Sequence, residues 1–477
     1  MNAQLFFPEL VLCAGCLAAF VLTLTGPSAR VPRLCALVVA ALFAAACFWS
    51  LPLEGSLFAG AYRVDLFSQM VKCAMASGFV LILLFGADLK GVPGEVRPEY
   101  YLFLLTSLLG LTLLVSSVEL LTLFIALELS SYSLYLLVPL RRGEGLRAQM
   151  EASVKYILFG VAASGIMLFG MSYVFGLTGT TYLDQAVPAM RALAGTPIGA
   201  AALLALLAGL LFKLAVFPFH FWAPDVYQGA SNDTAAFVAS LPKVAAVAVL
   251  LRLAAMAAPP EGLAAGHVQA ALTGLSVASM FYGNLTALAQ KDVKRMLGFS
   301  GIAHAGYLLL GVVALDAWGF ASALYYATAY VFMMLAAFLG LCAVSPDGGN
   351  LTVDDLSGLH KRSPILAFVL AASMFALAGI PPFAGFMGKF MLLATAYKAG
   401  HGVLVAMAAV NTALAIWYYL QVVRRIYTVA PAEGAGPIAV DSGTRLAGIC
   451  LVVLMIALGL APETLVRLAA SAVRMAM

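Results

Sequence analysis

Apolar residues follow one another for some twenty positions at a time along most of the chain, and each run stops at proline, glycine or charge. A helix needs about 20 apolar residues to cross a bilayer. The pattern therefore predicts about fourteen membrane-spanning helices, near 4–25, 32–51, 64–88, 99–116, 118–138, 150–176, 196–223, 232–257, 267–289, 295–315, 318–344, 364–397, 402–427 and 445–474. The runs are unbroken and do not alternate, which argues against a membrane β-barrel. Residues 1–7 lack a basic stretch and no clear small-residue cleavage site follows, so segment 1 is expected to stay as a helix. The longest polar connection, 345–363, is too short for a soluble domain.

Helix breakers fall at mid-depth in three segments: Pro218 and Pro224 in segment 7, Pro242 in segment 8, and Gly379, Pro381, Pro382, Gly385 and Gly388 in segment 12. Proline removes a backbone donor and clashes with the preceding turn. In lipid the freed carbonyls need protein or water partners, so broken helices line wet cavities. Helices 7, 8 and 12 are expected to be broken. Breaks five segments apart, in 7 and 12, suggest two five-helix units, segments 4–8 and 9–13. An odd helix number inverts the second unit in the membrane. The expected fold class is an all-α polytopic membrane protein. It divides into three N-terminal helices (1–98), a first five-helix repeat (99–257), a second, inverted repeat (267–427) and a C-terminal helix (445–477).

Composition closes off other classes. Hydrophobic residues make up 63% and charged residues 10%, against about 25% charged in soluble proteins. Mean hydropathy is +1.01. Neither a soluble globule nor a disordered chain fits. The net charge of +4 is spread out and offers no face for nucleic acid. The seven cysteines are scattered. Cys13 and Cys16 form a C-x-x-C inside an apolar helix, where a thiolate is disfavoured, and are expected to be buried small residues. No pair suggests a disulfide framework or a metal site. Basic residues follow odd-numbered segments: Arg30 and Arg33; Lys90 and Arg97; Arg141, Arg142 and Arg147; Lys291, Lys294 and Arg295; Lys361 and Arg362; Arg424 and Arg425. By the positive-inside rule those loops are cytoplasmic and both termini lie outside.

Against this background the charges within the apolar runs carry the chemistry. An ionisable group at the bilayer centre costs about 2.5–3.5 kcal/mol on insertion scales and marks a functional site by default. Glu128, Lys213, Lys243 and Lys389 all sit deep in apolar runs; Lys72 lies nearer the start of segment 3, with structural pairing as likely a role as proton transfer. A carboxylate moving toward or away from a buried lysine changes how tightly the lysine holds its proton, which is what a proton relay requires. His220 and His304 could extend such a relay or be satisfied packing residues. Tyr132, Tyr135, Tyr156, Tyr307, Tyr326 and Tyr330 are expected first as packing aromatics and second as water-holding groups.

Four stretches resemble one family. They are L-T-L-F-I-A-L-E-L-S-S-Y-S-L-Y-L-L-V at 121–138, F-K-L-A-V-F-P-F-H-F-W-A-P-D-V-Y-Q-G at 212–229, Q-K-D-V-K-R-M-L-G-F-S-G-I-A-H-A-G-Y at 290–307 and A-G-I-P-P-F-A-G-F-M-G-K-F at 378–390. They look like the antiporter-like membrane subunits of respiratory complex I (NADH:quinone oxidoreductase), which have fourteen-helix cores with inverted five-helix repeats. Within that family the pattern is nearest the N branch. The L branch adds a long C-terminal lateral helix for which 477 residues leave no room, and the M branch typically has Glu where this chain has Lys389. Pro8-Glu9-Leu10 and Lys72 also fit the N branch. The resemblance implies that Glu128 tunes Lys213 in a first half-channel, that Lys243 connects, and that Lys389 serves a second half-channel. It implies a proton-translocating subunit of the bacterial inner membrane, with neighbouring antiporter-like and small hydrophobic subunits as partners. No cofactor is expected in this chain; NADH, FMN, iron–sulfur clusters and quinone belong to partner subunits. The rival readings are a subunit of a multisubunit sodium/proton antiporter, a non-catalytic scaffold of the membrane arm and, last, a solute permease.

Overall fold

The computed structural model describes residues 3–476 apart from 27, 29, 87–88, 142–145, 258–265, 346 and 432–433. Arg142, one of the basic loop positions, lies outside the described residues. The architecture is a helical bundle. In chain order the elements are α1 (Phe7–Thr25), α2 (Arg30–Trp49), a hairpin of β1 (Gly55–Leu57) and β2 (Tyr62–Val64), α3 (Leu66–Phe85), α4 (Arg97–Ser116), α5 (Leu120–Leu137) and α6 (Leu146–Thr178). There follow α7 (Leu183–Arg191), α8 (Pro197–Leu214), α9 (Trp222–Gly229), α10 (Asn232–Ala257), α11 (Gly266–Leu288), α12 (Val293–Val313) and α13 (Ala317–Val344). The chain closes with α14 (Leu359–Arg362), α15 (Pro364–Ala378), α16 (Ala384–Lys398), α17 (Gly402–Thr428), α18 (Ser442–Leu460) and α19 (Glu463–Ala476).

Twelve described helices are long and apolar enough to cross a membrane. The other two expected spans are accounted for. Helix α11 has 23 residues but carries His267, Gln269 and Asn284, which lower its apolarity. The α15/α16 pair forms one interrupted segment.

Local chemistry sets the starts. Asp65 accepts from the Ser68 amide at 2.8 Å and its own amide donates to Ser68 Oγ at 3.1 Å, a capping box that begins α3. Side chains of Glu119, Thr196, Asp292, Asp316 and Asp441 accept from the first-turn amides of α5, α8, α12, α13 and α18. Pro197 and Pro364 stand in first turns, where a missing N–H costs nothing.

Burial does not follow hydrophobicity around each helix, because the outward faces are apolar too: α1 exposes Leu17, Phe20 and Leu24 while it buries Glu9 and Gly15. The apolar cores of α10 and α12 are buried on all sides, so these two helices form the centre. α1, α2, α17 and α18 keep most of their surface outward, toward lipid. Cys13 sits on this outward face of α1 and Cys16 is half-buried, not the buried pair expected; small thiols are tolerated facing lipid, so the apolar run alone did not set their side. Every cysteine is free.

Two of the three expected breaks occur. Segment 7 is interrupted between α8 and α9, with Ala215 left-handed at φ 60°. Segment 12 is interrupted between α15 and α16, with Gly379 left-handed at φ 88°. Segment 8 is not broken: α10 runs from Asn232 to Ala257 with Pro242 inside it. A lone proline forfeits one hydrogen bond, and dense packing on all sides of α10 holds the helix through it. Segment 14 divides instead, at Ala461–Pro462, into α18 and the amphipathic α19, which packs against α3, α10 and α13. The hairpin and α7 are additions that the apolar pattern did not announce.

Candidate functional site

The deep charges lie on helices that the breaks and caps hold in place, and none of Glu128, Lys213, Lys243 and Lys389 is more than 8% exposed. Glu128 projects from the middle of α5, where Ser164 Oγ of α6 donates a short hydrogen bond to its Oε1. Lys213 stands in the last turn of α8, just ahead of the left-handed Ala215. Its Nζ donates to Ser130 Oγ at 3.1 Å, Ser131 Oγ at 3.0 Å and the Leu127 carbonyl at 3.4 Å. These three partners flank Glu128 on α5, so carboxylate and ammonium share one cleft without forming an ion pair. Ser130 Oγ continues to Ser107 Oγ of α4 at 3.1 Å.

Lys243 follows Pro242 on α10. Its Nζ donates to the Gly301 carbonyl of α12 at 3.2 Å and to Tyr330 Oη of α13 at 3.5 Å. It also lies over the rings of Tyr330 and Tyr227, 5.3 and 5.8 Å from their centroids, a favourable place for a cation with no carboxylate at hand. A Cβ at Gly301 would come within 2.6 Å of Nζ, so glycine lets the ammonium sit this close to α12.

Lys389, on α16, reaches back across the break. Its Nζ donates to the carbonyls of Leu377 at 2.9 Å and Ala378 at 3.1 Å, the last of α15, and lies 5.0 Å from the Tyr307 ring centroid. The Gly379 and Ile380 amides serve the carbonyls of Phe375 and Ala376. The break thus leaves for the lysine those carbonyls that no amide takes.

His304 of α12 sits between the last two lysines. Nδ1 pairs with Tyr326 Oη at 2.6 Å and Nε2 with Tyr419 Oη at 3.1 Å. Its ring lies against Tyr330, which borders Lys243, and Tyr307, which borders Lys389. His220 is not drawn in. It is buried in the α8–α9 break among Phe217, Phe221 and Tyr282, and neither ring nitrogen reaches a side-chain hydrogen-bond partner. Lys72 is also separate, paired at 2.9 Å with Glu9 of α1 and bonded to Tyr62 Oη at 2.9 Å. Tyr132 points outward, whereas Tyr135, Tyr156, Tyr307, Tyr326 and Tyr330 are buried.

Reading the sequence for deep charges missed the groups that hold them. Glu9, which enters the sequence reading only within Pro8-Glu9-Leu10, is the counterion of Lys72, and both side chains are fully buried. Arg252, near the end of α10, makes a bidentate pair with Asp65 at 2.8 and 3.0 Å. Serines 130, 131 and 164 carry the polar contacts of the first cleft. Ser130 and Ser131 stand within one turn of Glu128 in the sequence, whereas Ser164, on α6, has no deep charge near it along the chain.

Helices broken at mid-depth, with a carboxylate and three lysines buried beside them, define a membrane protein of the antiporter-like class. Residues 117–415 match the family described as NADH:quinone oxidoreductase/Mrp antiporter, TM. A protein of Opitutus terrae named NADH-quinone oxidoreductase subunit N 2 is 50% identical over 460 residues, 96% of this chain and 95% of that one. A namesake in Syntrophobacter fumaroxidans is 44% identical over 475 residues, 99% of each chain. A chain of respiratory complex I from Thermus thermophilus superposes with a TM-score of 0.83 at 34% identity, covering 97% of this chain and 99% of that chain. A chain of the Mrp complex from Dietzia shares the fold, with a TM-score of 0.86 at 22% identity, covering 99% of this chain and 97% of that chain. The chain belongs to the NADH-quinone oxidoreductase subunit N family, the antiporter-like membrane subunits of complex I.

Proposed function

We propose that this chain carries protons along its buried charges, driven by quinone reduction in other subunits of the same complex. Glu128 tunes Lys213, Lys243 connects, and Lys389 receives, with His304 and its tyrosines between the last two. The observation that carries this reading is the surroundings of the three lysines. Each is buried and held by hydroxyls, carbonyls or ring faces rather than by a carboxylate. A structural lysine in lipid is normally paired, as Lys72 is with Glu9. Lysines held only by neutral groups can exist charged or neutral, and that is the property a relay needs.

The unit division 99–257 and 267–427 is supported by features that recur at matching places. Each half has one segment interrupted after a left-handed residue, Ala215 and Gly379. In each half the first two helices approach closely at a glycine, Gly110 against Ser130 and Gly283 against Ala303. Residues 1–98 and 445–477 flank the halves. The reading places NADH, FMN, iron–sulfur clusters and quinone in partner subunits. It places the basic loops on the cytoplasmic side of a bacterial inner membrane and both termini outside. Its neighbours are other membrane-arm subunits. Lys72 with Glu9 is a structural pair in this reading, and His220 lies off the path.

The test is Lys213→Met and Lys389→Met in the assembled complex, with NADH-driven proton uptake measured in inverted membrane vesicles. Coupled pumping should fall at least severalfold in each while the chain still assembles. Full pumping in both variants would overturn the assigned roles. A sodium requirement for uptake would favour the sodium/proton antiporter.

A further inference from the structure

Between the first cleft and the end of the bundle that bears the basic loops lie a cavity and a cluster of aromatic rings. A cavity of about 670 Å³ opens there between α6, α9 and α12, walled by Glu151, Lys155, Asp225, Gln228 and Arg295. Asp225 is held from both sides, by Lys155 at 2.7 Å and Arg295 at 2.5 Å. Below the cavity an aromatic plug separates it from Glu128. The Tyr156 ring stacks on Trp222 at 4.6 Å and on Phe212 at 5.9 Å, and meets Tyr135 edge-on at 4.8 Å.

The aromatic cluster meets α6 at Gly160. The Tyr135 hydroxyl lies in a notch at Gly160, where a Cβ would collide with it. One turn further along α6 is Ser164, the donor to Glu128 Oε1. Four helical residues rise about 6 Å, and one water linking two oxygens spans roughly 5.5 Å. A separation of that order lets one water link the phenol to the carboxylate, and on its other side the Tyr135 ring borders that of Tyr156.

We infer that Tyr135, seated in the Gly160 notch, passes protons between the Asp225 cavity and the Glu128–Lys213 cleft. This deepens the function proposed above and rests on it. The hydroxyl accepts a proton from water on the cavity side as it releases its own toward the water beside Glu128, so the phenol ends as it began. The rings around it exclude other water.

The test uses the assembled complex in inverted vesicles, reading proton uptake per NADH oxidised, with Lys213→Met alongside. Tyr135→Phe keeps the plug and removes the hydroxyl. It should lower uptake about tenfold or more, as removal of a positioned proton-transfer group does. Loss of the hydroxyl removes the closest contact, and a Cβ at position 160 then meets the end of the ring at 2.7 Å, which the ring must relieve by tilting to the same extent in either double variant. The double variant Tyr135→Phe/Gly160→Ser returns a hydroxyl to that place and should regain uptake. Tyr135→Phe/Gly160→Ala fills the same space without one and should not. A purely structural role for Tyr135 would not distinguish serine from alanine. If Lys213→Met abolishes uptake and Tyr135→Phe leaves it intact, the inference is overturned and the proposed function stands. Equal behaviour of the serine and alanine doubles also overturns the inference. If Lys213→Met too leaves uptake intact, the role proposed for the Glu128–Lys213 cleft falls and the inference with it.

Discussion

Replacing Gly301 with alanine adds a single carbon beside Lys243, and its effect on fold and function should separate. The new Cβ would lie 2.6 Å from Nζ and 3.0 Å from Tyr330 Oη. An ordinary contact of these atoms needs about 3.5 Å. The ammonium is the far end of a flexible side chain, so it is the group that yields, by about 1 Å. Its 3.2 Å bond to the Gly301 carbonyl is then lost. A hydrogen bond to a charged group is worth about 1.5–3 kcal/mol, roughly a ten- to hundredfold change in rate or equilibrium. Alanine meanwhile favours a helix interior over glycine by about 1 kcal/mol, so α12 is not weakened. The expectation is normal assembly with proton uptake per NADH lowered tenfold or more. Uptake in inverted vesicles, normalised to the chain present by quantitative immunoblot, measures it. Stable incorporation of Gly301→Ala with unaltered uptake would refute the view that Lys243 works from this seat.

Two further outcomes follow from buried polar groups. Glu9→Gln leaves the Lys72 ammonium buried without its counterion, and breaking such a pair costs about 3–5 kcal/mol; chain abundance in membranes should drop, and Glu9→Gln/Lys72→Met should restore it with normal uptake. Ser164→Ala removes the donor to Glu128, so uptake should fall while abundance holds; unaltered uptake would show that this hydroxyl does not set the carboxylate's position.

Most spans were legible because lipid demands long apolar runs, and proline and glycine clusters at 218 and at 379–388 marked true interruptions. Pro242 was misleading because sequence records the lost hydrogen bond but not the neighbours that hold α10 straight through it. Pro462 passed unnoticed since Leu465, Val466 and Leu468 continue the apolar character beyond it, although α19 is amphipathic. Glu128, Lys213, Lys243 and Lys389 stood out as charges in apolar surroundings, and all four are buried. Their partners did not stand out. Glu9 and Lys72 are 63 positions apart in the chain, and nothing local to either announces the other. Gly301 looks like any small residue at a helix contact until the lysine opposite it is placed. His220 and His304 read alike in sequence, and only the tyrosines around His304 tell them apart.

The interruption between α15 and α16 has a consequence for the direction of transport. A helix end carries roughly half an elementary negative charge on its free carbonyls. At Lys389 the backbone itself is the counter-charge, through Leu377 and Ala378, and backbone cannot be neutralised by a proton. At Lys213 the nearby counter-charge is Glu128, which can. The two ends of the line are thus unequal partners. One is a variable electrostatic valve, set by the state of a carboxylate; the other is a fixed bias that only a shift of the half-helices could alter. In the proposed relay an event at Glu128 would change one terminal while the opposite terminal holds its reference potential, so the driving event would act at one end only.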